Sequence, residues 1–306
     1  MGSCFESTSS QNYSVISVTL ESIQSIYLGS GGGVNKCSAD SNNFWNSCNS
    51  VLTGQTATQL VLSSAYDYLY VSSGAVGSWY LKGGLFSCQV SSTGSISNCV
   101  QQIESTTTIS GSTVMPSNIQ GIALDSTNTH AYILSGNSIN ADYDTVPSII
   151  ICDVNSGTIN NCIVTATDYT DVILTTNSLL SGISIVNNKA YIVETDDVSI
   201  TTAANQASNI IKCDINSTTH HLDNCANTLS SSSYANLNNS HSITSLSLSG
   251  SNYLYISSLY ATASPYILSC KIGSDGALSQ ANCLEKQIIS TLGPASLQGL
   301  STAWLL

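Results

Sequence analysis

The feature that most constrains the fold of this chain is a set of regularly spaced cysteine pairs. Ten of the 11 cysteines fall into five pairs, whose partners are 11, 11, 10, 12 and 13 residues apart. Each pair brackets an apolar run, a polar turn containing Gly or Asn, and a second run that ends in cysteine. This pattern predicts a β-hairpin whose strands are joined by a disulfide near the open end. The pairs are Cys37/Cys48, Cys88/Cys99, Cys152/Cys162, Cys213/Cys225 and Cys270/Cys283.

A second hairpin precedes each cysteine pair, and a tyrosine between two apolar residues marks its second strand. In the clearest case an apolar run at residues 121–124 is followed by a polar turn at 125–128. Four short strands per unit, repeated five times, are typical of a β-propeller. The five tyrosines are Tyr27, Tyr70, Tyr132, Tyr191 and Tyr255.

Residues 121–133 (GIALDSTNTHAYI) and 149–162 (IIICDVNSGTINNC) resemble the YVTN/NHL-type repeat of secreted bacterial β-propellers. Some members of that group carry the same cysteine pair on the outer hairpin. The resemblance covers nearly the whole chain and implies a propeller, but such propellers host unrelated activities. Lactonase-type propellers use polar and charged residues at the channel mouth. The inner strands here offer mainly Ser, Gly, Ala and apolar residues, which disfavours a lactonase activity.

We therefore expect one all-β domain over residues 1–306, a β-propeller of five full four-stranded blades. The surplus strands at 3–9 and 297–304 leave three alternatives open. They belong to a longer protein that was cut, they close or cap the ring as a partial sixth blade, or they pair with a neighbouring molecule. The repeat units lie at residues 13–50, 58–101, 119–164, 180–227 and 241–285.

The cysteines also indicate the compartment. No pair has the CxxC spacing of zinc sites and the chain has only 4 histidines, so disulfides are expected rather than a metal array. Disulfides predict an extracellular, cell-surface or periplasmic protein. Cys4 has no partner in this scheme, and it is either an intermolecular cysteine, the half of a missing pair, or a free thiol.

The charge balance excludes several functions. The chain has 6 basic residues, all lysines, and 18 acidic ones, for a net charge of −12. Nucleic-acid binding needs a basic surface, so it is excluded. No apolar run approaches the roughly 18–20 residues of a membrane helix, so we expect no membrane insertion.

Binding is expected on the face that carries the long loops between second and third strands and the loops from one blade to the next, because variable loops on a rigid scaffold commonly carry function. Aromatic side chains in these loops suit a sugar or a protein partner. The alternative is that they only pack their own loops. They are Trp79, Tyr80, Tyr143, Tyr169, Tyr234, Tyr260 and Tyr266.

Carboxylates gather on one sector of the same face. Several carboxylates with Asn and backbone carbonyls can bind Ca²⁺, although no segment matches an EF-hand loop. The alternative is a solvated acidic rim. The candidate ligands are Asp142, Asp144, Asp168, Asp171, Asp196 and Asp197.

Signals for catalysis are sparse. His220 and His221 are expected to be exposed in an outer hairpin turn, and His130 lies in a short turn away from the long loops. His241 is the one histidine expected near the axis, and no GxSxG elbow is present.

These observations predict a non-catalytic extracellular binding or scaffold module for a glycan or a protein. Two alternatives remain open. One is a structural subunit of an extracellular fibre or array, in which copies of the chain join through terminal strands. The other is a metal-assisted, lactonase-like hydrolase.

Overall fold

Short runs of β-branched and aromatic residues, separated by turns rich in Asn, Gly and Ser, form twenty β-strands in the described part of the chain. The structure is a computed structural model, and no helix among its described residues is long and apolar enough to cross a membrane. It describes residues 17–22, 25–30, 33–39, 45–53, 56–74, 84–104, 109, 116–139, 145–164, 178–196, 208–232, 237, 240–248, 250–258 and 266–287.

The strands form five four-stranded sheets within these residues. The first sheet contains β1 (Ser17–Ser22), β2 (Ser25–Ser30), β3 (Gly33–Ala39) and β4 (Trp45–Thr53). The second contains β5 (Thr56–Leu62), β6 (Tyr68–Gly74), β7 (Gly84–Val90) and β8 (Ile96–Glu104). The third contains β9 (Pro116–Leu124), β10 (His130–Ile139), β11 (Thr145–Asn155) and β12 (Thr158–Val164). The fourth contains β13 (Ser178–Val186), β14 (Lys189–Asp196), β15 (Ser208–Ile215) and β16 (Leu222–Ser230). The fifth contains β17 (Ser240–Leu248), β18 (Ser251–Ser258), β19 (Tyr266–Lys271), a 3₁₀ turn (Gln280–Asn282) and β20 (Cys283–Gln287).

Every sheet is an antiparallel meander in which each strand pairs with the next one along the chain. The first strands of successive sheets contact one another, from β1 to β5, β9, β13 and β17. First strands therefore lie inside and fourth strands outside, which is the radial arrangement of a β-propeller. The expectation of an all-β propeller is confirmed. The terminal segments 3–9 and 297–304 lie outside the described residues.

The hydrophobic core lies between the sheets as a series of layers. One layer joins Tyr132 and Ile149 of the third sheet to Ile192 and Ile211 of the fourth. Three further layers join the first sheet to the second, the second to the third, and the fourth to the fifth. Each sheet thus buries its apolar face on the next sheet, and burial of this surface is the main force that holds the sheets together.

The outer hairpins are closed by disulfides. Four bonds join β7 to β8, β11 to β12, β15 to β16 and the start of β20 to β19. Cys37 and Cys48 lie directly opposite each other in the register of β3 and β4, at the corresponding place in the first sheet. Cys4 lies outside the described residues. The bonded pairs are Cys88–Cys99, Cys152–Cys162, Cys213–Cys225 and Cys270–Cys283.

One buried glutamine connects the inner strands of three sheets. Gln59 on β5 is only 5% exposed. Its Nε2 donates a hydrogen bond to the carbonyl oxygen of Ile183 on β13, at 3.1 Å. Its Oε1 accepts one from the backbone N–H of Ile122 on β9, also at 3.1 Å. A side chain at Gly121 would put its Cβ 2.8 Å from Oε1, so the glutamine fits because glycine leaves it room.

We predict that Gln59→Leu lowers the free energy of unfolding by about 1–3 kcal/mol, because the buried N–H of Ile122 loses its acceptor. Gln89→Leu, at an exposed position on β7, is the control: it removes only the exposed hydrogen bond that Gln89 Oε1 accepts from Asn98 Nδ2, and it should change stability by less than about 0.5 kcal/mol. Urea denaturation with the disulfides intact measures both variants. Equal stability of the two variants would show that the bridge contributes nothing.

We predict that the double variant Cys152→Ala/Cys162→Ala loses about 2–3 kcal/mol of stability, because the disulfide closes a loop that the unfolded chain otherwise explores. Replacing both cysteines, rather than one, avoids creating a new free thiol that could exchange with other disulfides. The measurement is urea denaturation beside the parent protein. An unchanged midpoint would contradict the prediction.

Candidate functional site

The strand bounds separate long connections from short ones. Second and third strands are joined by segments 75–83, 140–144, 197–207 and 259–265 in the last four sheets. First and second strands are joined at the opposite end by tight turns, as at 187–188. The long segments therefore start and finish at one end of the propeller, which is called the long-loop face below.

Most residues predicted for this face lie outside the described residues, and their roles stay predictions. Two of them begin or end a strand. Tyr266 is the first residue of β19, opposite Ser258 and Gln287 in the register. Asp196 is the last residue of β14, opposite Ser178. The residues outside the described part are Trp79, Tyr80, Tyr143, Tyr169, Tyr234, Tyr260, Asp142, Asp144, Asp168, Asp171 and Asp197.

A different candidate site lies at a contact that recurs between neighbouring sheets. The tyrosine of a second strand donates its hydroxyl to a backbone carbonyl in the outer hairpin turn of the next sheet. Tyr27 bonds to Gly94 at 2.6 Å, and Tyr191 bonds to Gly276 at 2.7 Å. The acceptor residues have φ angles of 70° and 81°, in the left-handed region where glycine is at ease.

His220 occupies this glycine position between the third and fourth sheets. Its carbonyl accepts the Tyr132 hydroxyl at 2.9 Å, and its φ is 58°. Gly157 has φ 81° in the corresponding turn of the third sheet. A side chain other than glycine is strained in this region, at a cost of order 1–2 kcal/mol. The histidine is therefore held where the backbone geometry favours glycine.

The side chain of His220 contacts the residue that lies two positions before the tyrosine. In two other interfaces the corresponding residue leaves no room for a Cβ on the turn glycine. Tyr68 fills that space at Gly157, and Lys189 fills it at Gly276. In this interface the residue is His130, and the two imidazole rings stack with centroids 3.7 Å apart and planes 20° apart.

Asp125 orients the ring of His130 from the preceding turn. Its Oδ2 lies 3.0 Å from His130 Nδ1 and accepts the Thr127 hydroxyl at 2.8 Å. Its Oδ1 accepts the backbone N–H of Thr129 at 2.8 Å. Burial acts to raise the pKa of Asp125, but hydrogen bonds from His130, Thr127 and the backbone outweigh it and hold the pKa below its ordinary value. Asp125 is therefore a carboxylate at neutral pH.

A second carboxylate completes the surroundings of His130. Asp153 Oδ1 lies 3.8 Å from His130 Nε2, so both ring nitrogens face an acidic side chain. One ligand atom each from Asp125, His130 and His220 lies within 4.8 Å of the other two. We call these three residues the histidine cluster. Two imidazoles and a carboxylate are ligands that divalent transition metals accept.

The histidine cluster does not follow from the sequence pattern. The pattern puts His130 and His220 in separate turns and predicts an exposed His220, whereas His220 is half-buried against His130. One signal was present. Gly94, Gly157 and His220 each precede the second cysteine of their hairpin by five residues, so a histidine stands where two repeats have glycine. His241 lies in β17, apart from the cluster in sequence.

Comparisons with known proteins show the fold. No protein-family model matches this chain, and no curated protein sequence matches it. The PQQ domain of pyranose dehydrogenase from Coprinopsis cinerea aligns over 94% of this chain and 87% of its own, with 11% identity and a TM-score of 0.53. A glucose dehydrogenase aligns over 92% and 88%, with 9% identity and a TM-score of 0.53. An exo-1,5-α-L-arabinanase from a bovine ruminal metagenomic library aligns over 90% and 99%, with 10% identity and a TM-score of 0.50.

This chain has a β-propeller fold. The structural neighbours are propeller proteins of different activities, and their identity to this chain is too low to transfer any activity.

The buried tyrosines between the sheets should make the stability of the protein fall at alkaline pH. Burial, followed by the charges of Asp275 and Asp214, raises the pKa of Tyr191 to about 12. Burial, followed by Asp67, raises the pKa of Tyr70 to about 12. The unfolded chain ionises its tyrosines near their ordinary pKa of about 10. The ionisation of these tyrosines should therefore leave stability independent of pH below about pH 10 and lower it between about pH 10 and 12.

We predict that Tyr191→Phe loses about 1 kcal/mol at neutral pH, through its hydrogen bond to Gly276, and declines less steeply above about pH 10. Urea denaturation at stepped pH, with tyrosinate absorbance read in parallel, measures both effects. Tyr66→Phe, at an exposed tyrosine in a turn, is the control. The same alkaline slope in both variants would contradict the assignment.

Proposed function

We propose that this protein is an extracellular, cell-surface or periplasmic β-propeller of five full blades that binds a glycan or a protein through its long-loop face. The repeat similarity to YVTN/NHL-type propellers supports the family and the compartment. The four disulfides support an oxidising environment in the same way. A partial sixth blade from the chain ends is part of the proposal.

The observation that carries the proposal is the difference between the two ends of the sheets. At the end away from the long loops, first and second strands are joined by only 2 to 5 residues, and third and fourth strands by 2 to 6 residues in the first four sheets and by 11 in the fifth. The short turns satisfy their own polar groups. The Ser63 hydroxyl, for example, donates to Asp67 at 2.7 Å and accepts the Asp67 N–H at 3.1 Å. The connections at the other end are 5 to 11 residues long in the last four sheets. The connections from one sheet to the next at 105–115, 165–177 and 231–239 begin and end on this same face, so more of the connecting chain lies here than at the opposite end.

The composition of the long connections suits recognition. Segment 75–83 carries Trp79 and Tyr80, and segment 259–265 carries Tyr260. Aromatic rings give a large contact area for few rotatable bonds, and they stack well on sugar rings and on protein surfaces. The disulfide-closed hairpins and the bonded tyrosines hold the frame rigid, which lowers the ordering cost of binding.

Two rival functions remain as outcomes of the test. Among the structural neighbours are a glucose dehydrogenase and an arabinanase, so a catalytic propeller is the first rival. Its metal would lie in the acidic sector that includes Asp142 and Asp144. The second rival is a subunit of a fibre or array, joined through terminal strands and Cys4.

We predict that the oxidised protein binds at least one ligand in a glycan array or an extracellular-protein screen run with and without Ca²⁺. Trp79→Ala and Tyr80→Ala should weaken that binding about 30-fold, the loss typical of a central aromatic contact. Tyr66→Ala removes an exposed aromatic from a turn at the opposite end and should leave binding unchanged.

Three results would overturn the proposal. The first is equal loss of binding in Tyr66→Ala and Tyr80→Ala. The second is the absence of any ligand together with hydrolysis of an ester, lactone or glycoside, which would favour the enzyme. The third is a ladder of species on a non-reducing gel that collapses on reduction and disappears when Cys4 is replaced by serine, which would favour the assembly.

A further inference from the structure

We propose that Asp125, His130 and His220 form a binding site for a divalent transition-metal ion, with Zn²⁺ as the best fit, between the third and fourth sheets. The site lies at the end of the sheets opposite to the long-loop face. It does not depend on what the long loops bind.

Asp125 and His130 already hold their ligand atoms close to the spacing that one ion needs. Asp125 Oδ2 and His130 Nδ1 are 3.0 Å apart. Two ligand atoms that each bind Zn²⁺ at about 2.0–2.1 Å are about 3.4 Å apart in tetrahedral geometry. A movement of a few tenths of an ångström therefore admits the ion between them. The ring of His130 is only 17% exposed, so its orientation is set by its neighbours.

The surroundings of His130 suit a metal-bound imidazole. When Nδ1 carries the ion, the ring proton resides on Nε2, which faces Asp153 Oδ1 at 3.8 Å. At this distance the two atoms are not hydrogen-bonded, and a closer approach of Asp153 would supply the carboxylate that commonly accepts the second ring N–H of a histidine ligand and fixes its tautomer.

His220 supplies the third ligand from the neighbouring sheet. Its ring is stacked on His130 and one of its nitrogens lies within 4.8 Å of the other two ligand atoms. The nitrogen lone pairs of stacked rings lie in nearly parallel planes, so they do not meet at one ion. The His220 ring therefore has to turn about its side-chain bonds to bind the ion. The backbone of His220 stays in place during this rotation, because its carbonyl oxygen remains hydrogen-bonded to the Tyr132 hydroxyl. Binding thus replaces a ring stack by a chelate between sheets.

The backbone of His220 supports a role for its side chain. At φ 58° it adopts the conformation that Gly94, Gly157 and Gly276 adopt in the other turns. Eight other non-glycine residues also have positive φ angles among the described residues, six of them asparagines, so what distinguishes His220 is its place where other turns carry glycine. An imidazole that reaches across the interface to a second imidazole and a carboxylate gives that position a chemical reason.

The test uses the full chain with its disulfides oxidised, stripped with a chelator and dialysed. Zn²⁺ is titrated by calorimetry, and Co²⁺ by visible absorption, which reports coordination geometry. We expect one tight ion per chain and a rise in the thermal midpoint when Zn²⁺ is added, because a ligand of the folded state stabilises it.

His220→Gly is the decisive variant, since it removes a ligand and restores the residue that the other turns use. Without metal, we expect this variant to fold with an unchanged or higher thermal midpoint. We also expect its Zn²⁺ affinity to fall at least about tenfold, because even the substitution of a residue that only hydrogen-bonds to a metal ligand has an effect of this size. His221→Ala removes the exposed neighbouring histidine and should bind as the parent does. His130→Gln should lose binding as His220→Gly does.

Two results would overturn the proposal. One is a parent protein that shows neither Zn²⁺ binding nor a shift of the midpoint. The other is unchanged Zn²⁺ affinity in His220→Gly and His130→Gln, which would place any bound ion elsewhere, for example among the carboxylates of the long-loop face. Loss of ligand binding at the long loops would not bear on either result, so the two proposals fail independently.

Discussion

The arrangement of the sheets depends on the contact between a buried second-strand tyrosine and the outer hairpin turn of the next sheet. The tyrosine fills the apolar layer with its ring and reaches a carbonyl with its hydroxyl, as Tyr27 and Tyr191 do. A carbonyl aimed at the neighbouring sheet requires a left-handed residue in the turn. This requirement explains why the turns carry glycine at Gly94 and Gly276, close before the second cysteine of each hairpin.

Three kinds of interaction stabilise the sheets at three different distances from the propeller axis. Disulfides close the outer hairpins, the tyrosines and apolar layers join neighbouring sheets, and Gln59 connects first strands on the inside. The partners in these interactions lie on strands or in outer hairpin turns within the described residues. A content of only 8% charged residues leaves few side chains for ion pairs, which contribute little to stability when they are exposed.

Periodic features could be predicted from the sequence, and features that occur once could not. The cysteine pairs and the tyrosines repeat, so they indicated the propeller and the outer hairpins. Gln59 is a single polar residue in an inner strand, and no repeat marks it. His130 and His220 lie 90 residues apart, and only the packing of one sheet on the next brings them together. The register between sheets is set by side-chain packing, which a strand pattern does not contain.

The histidine cluster makes one interface different in kind from the others. Where a glycine carbonyl accepts the tyrosine hydroxyl, the strength of the contact depends on the burial of the tyrosine ring and on this one hydrogen bond. Between the third and fourth sheets, the same hydrogen bond is present, but a strained backbone at His220 acts against it. An ion held by His220, Asp125 and His130 offsets that strain, so this interface would be strong with metal and weaker without it. Because the site lies away from the long loops, the metal would control the rigidity of the frame without occupying the recognition face.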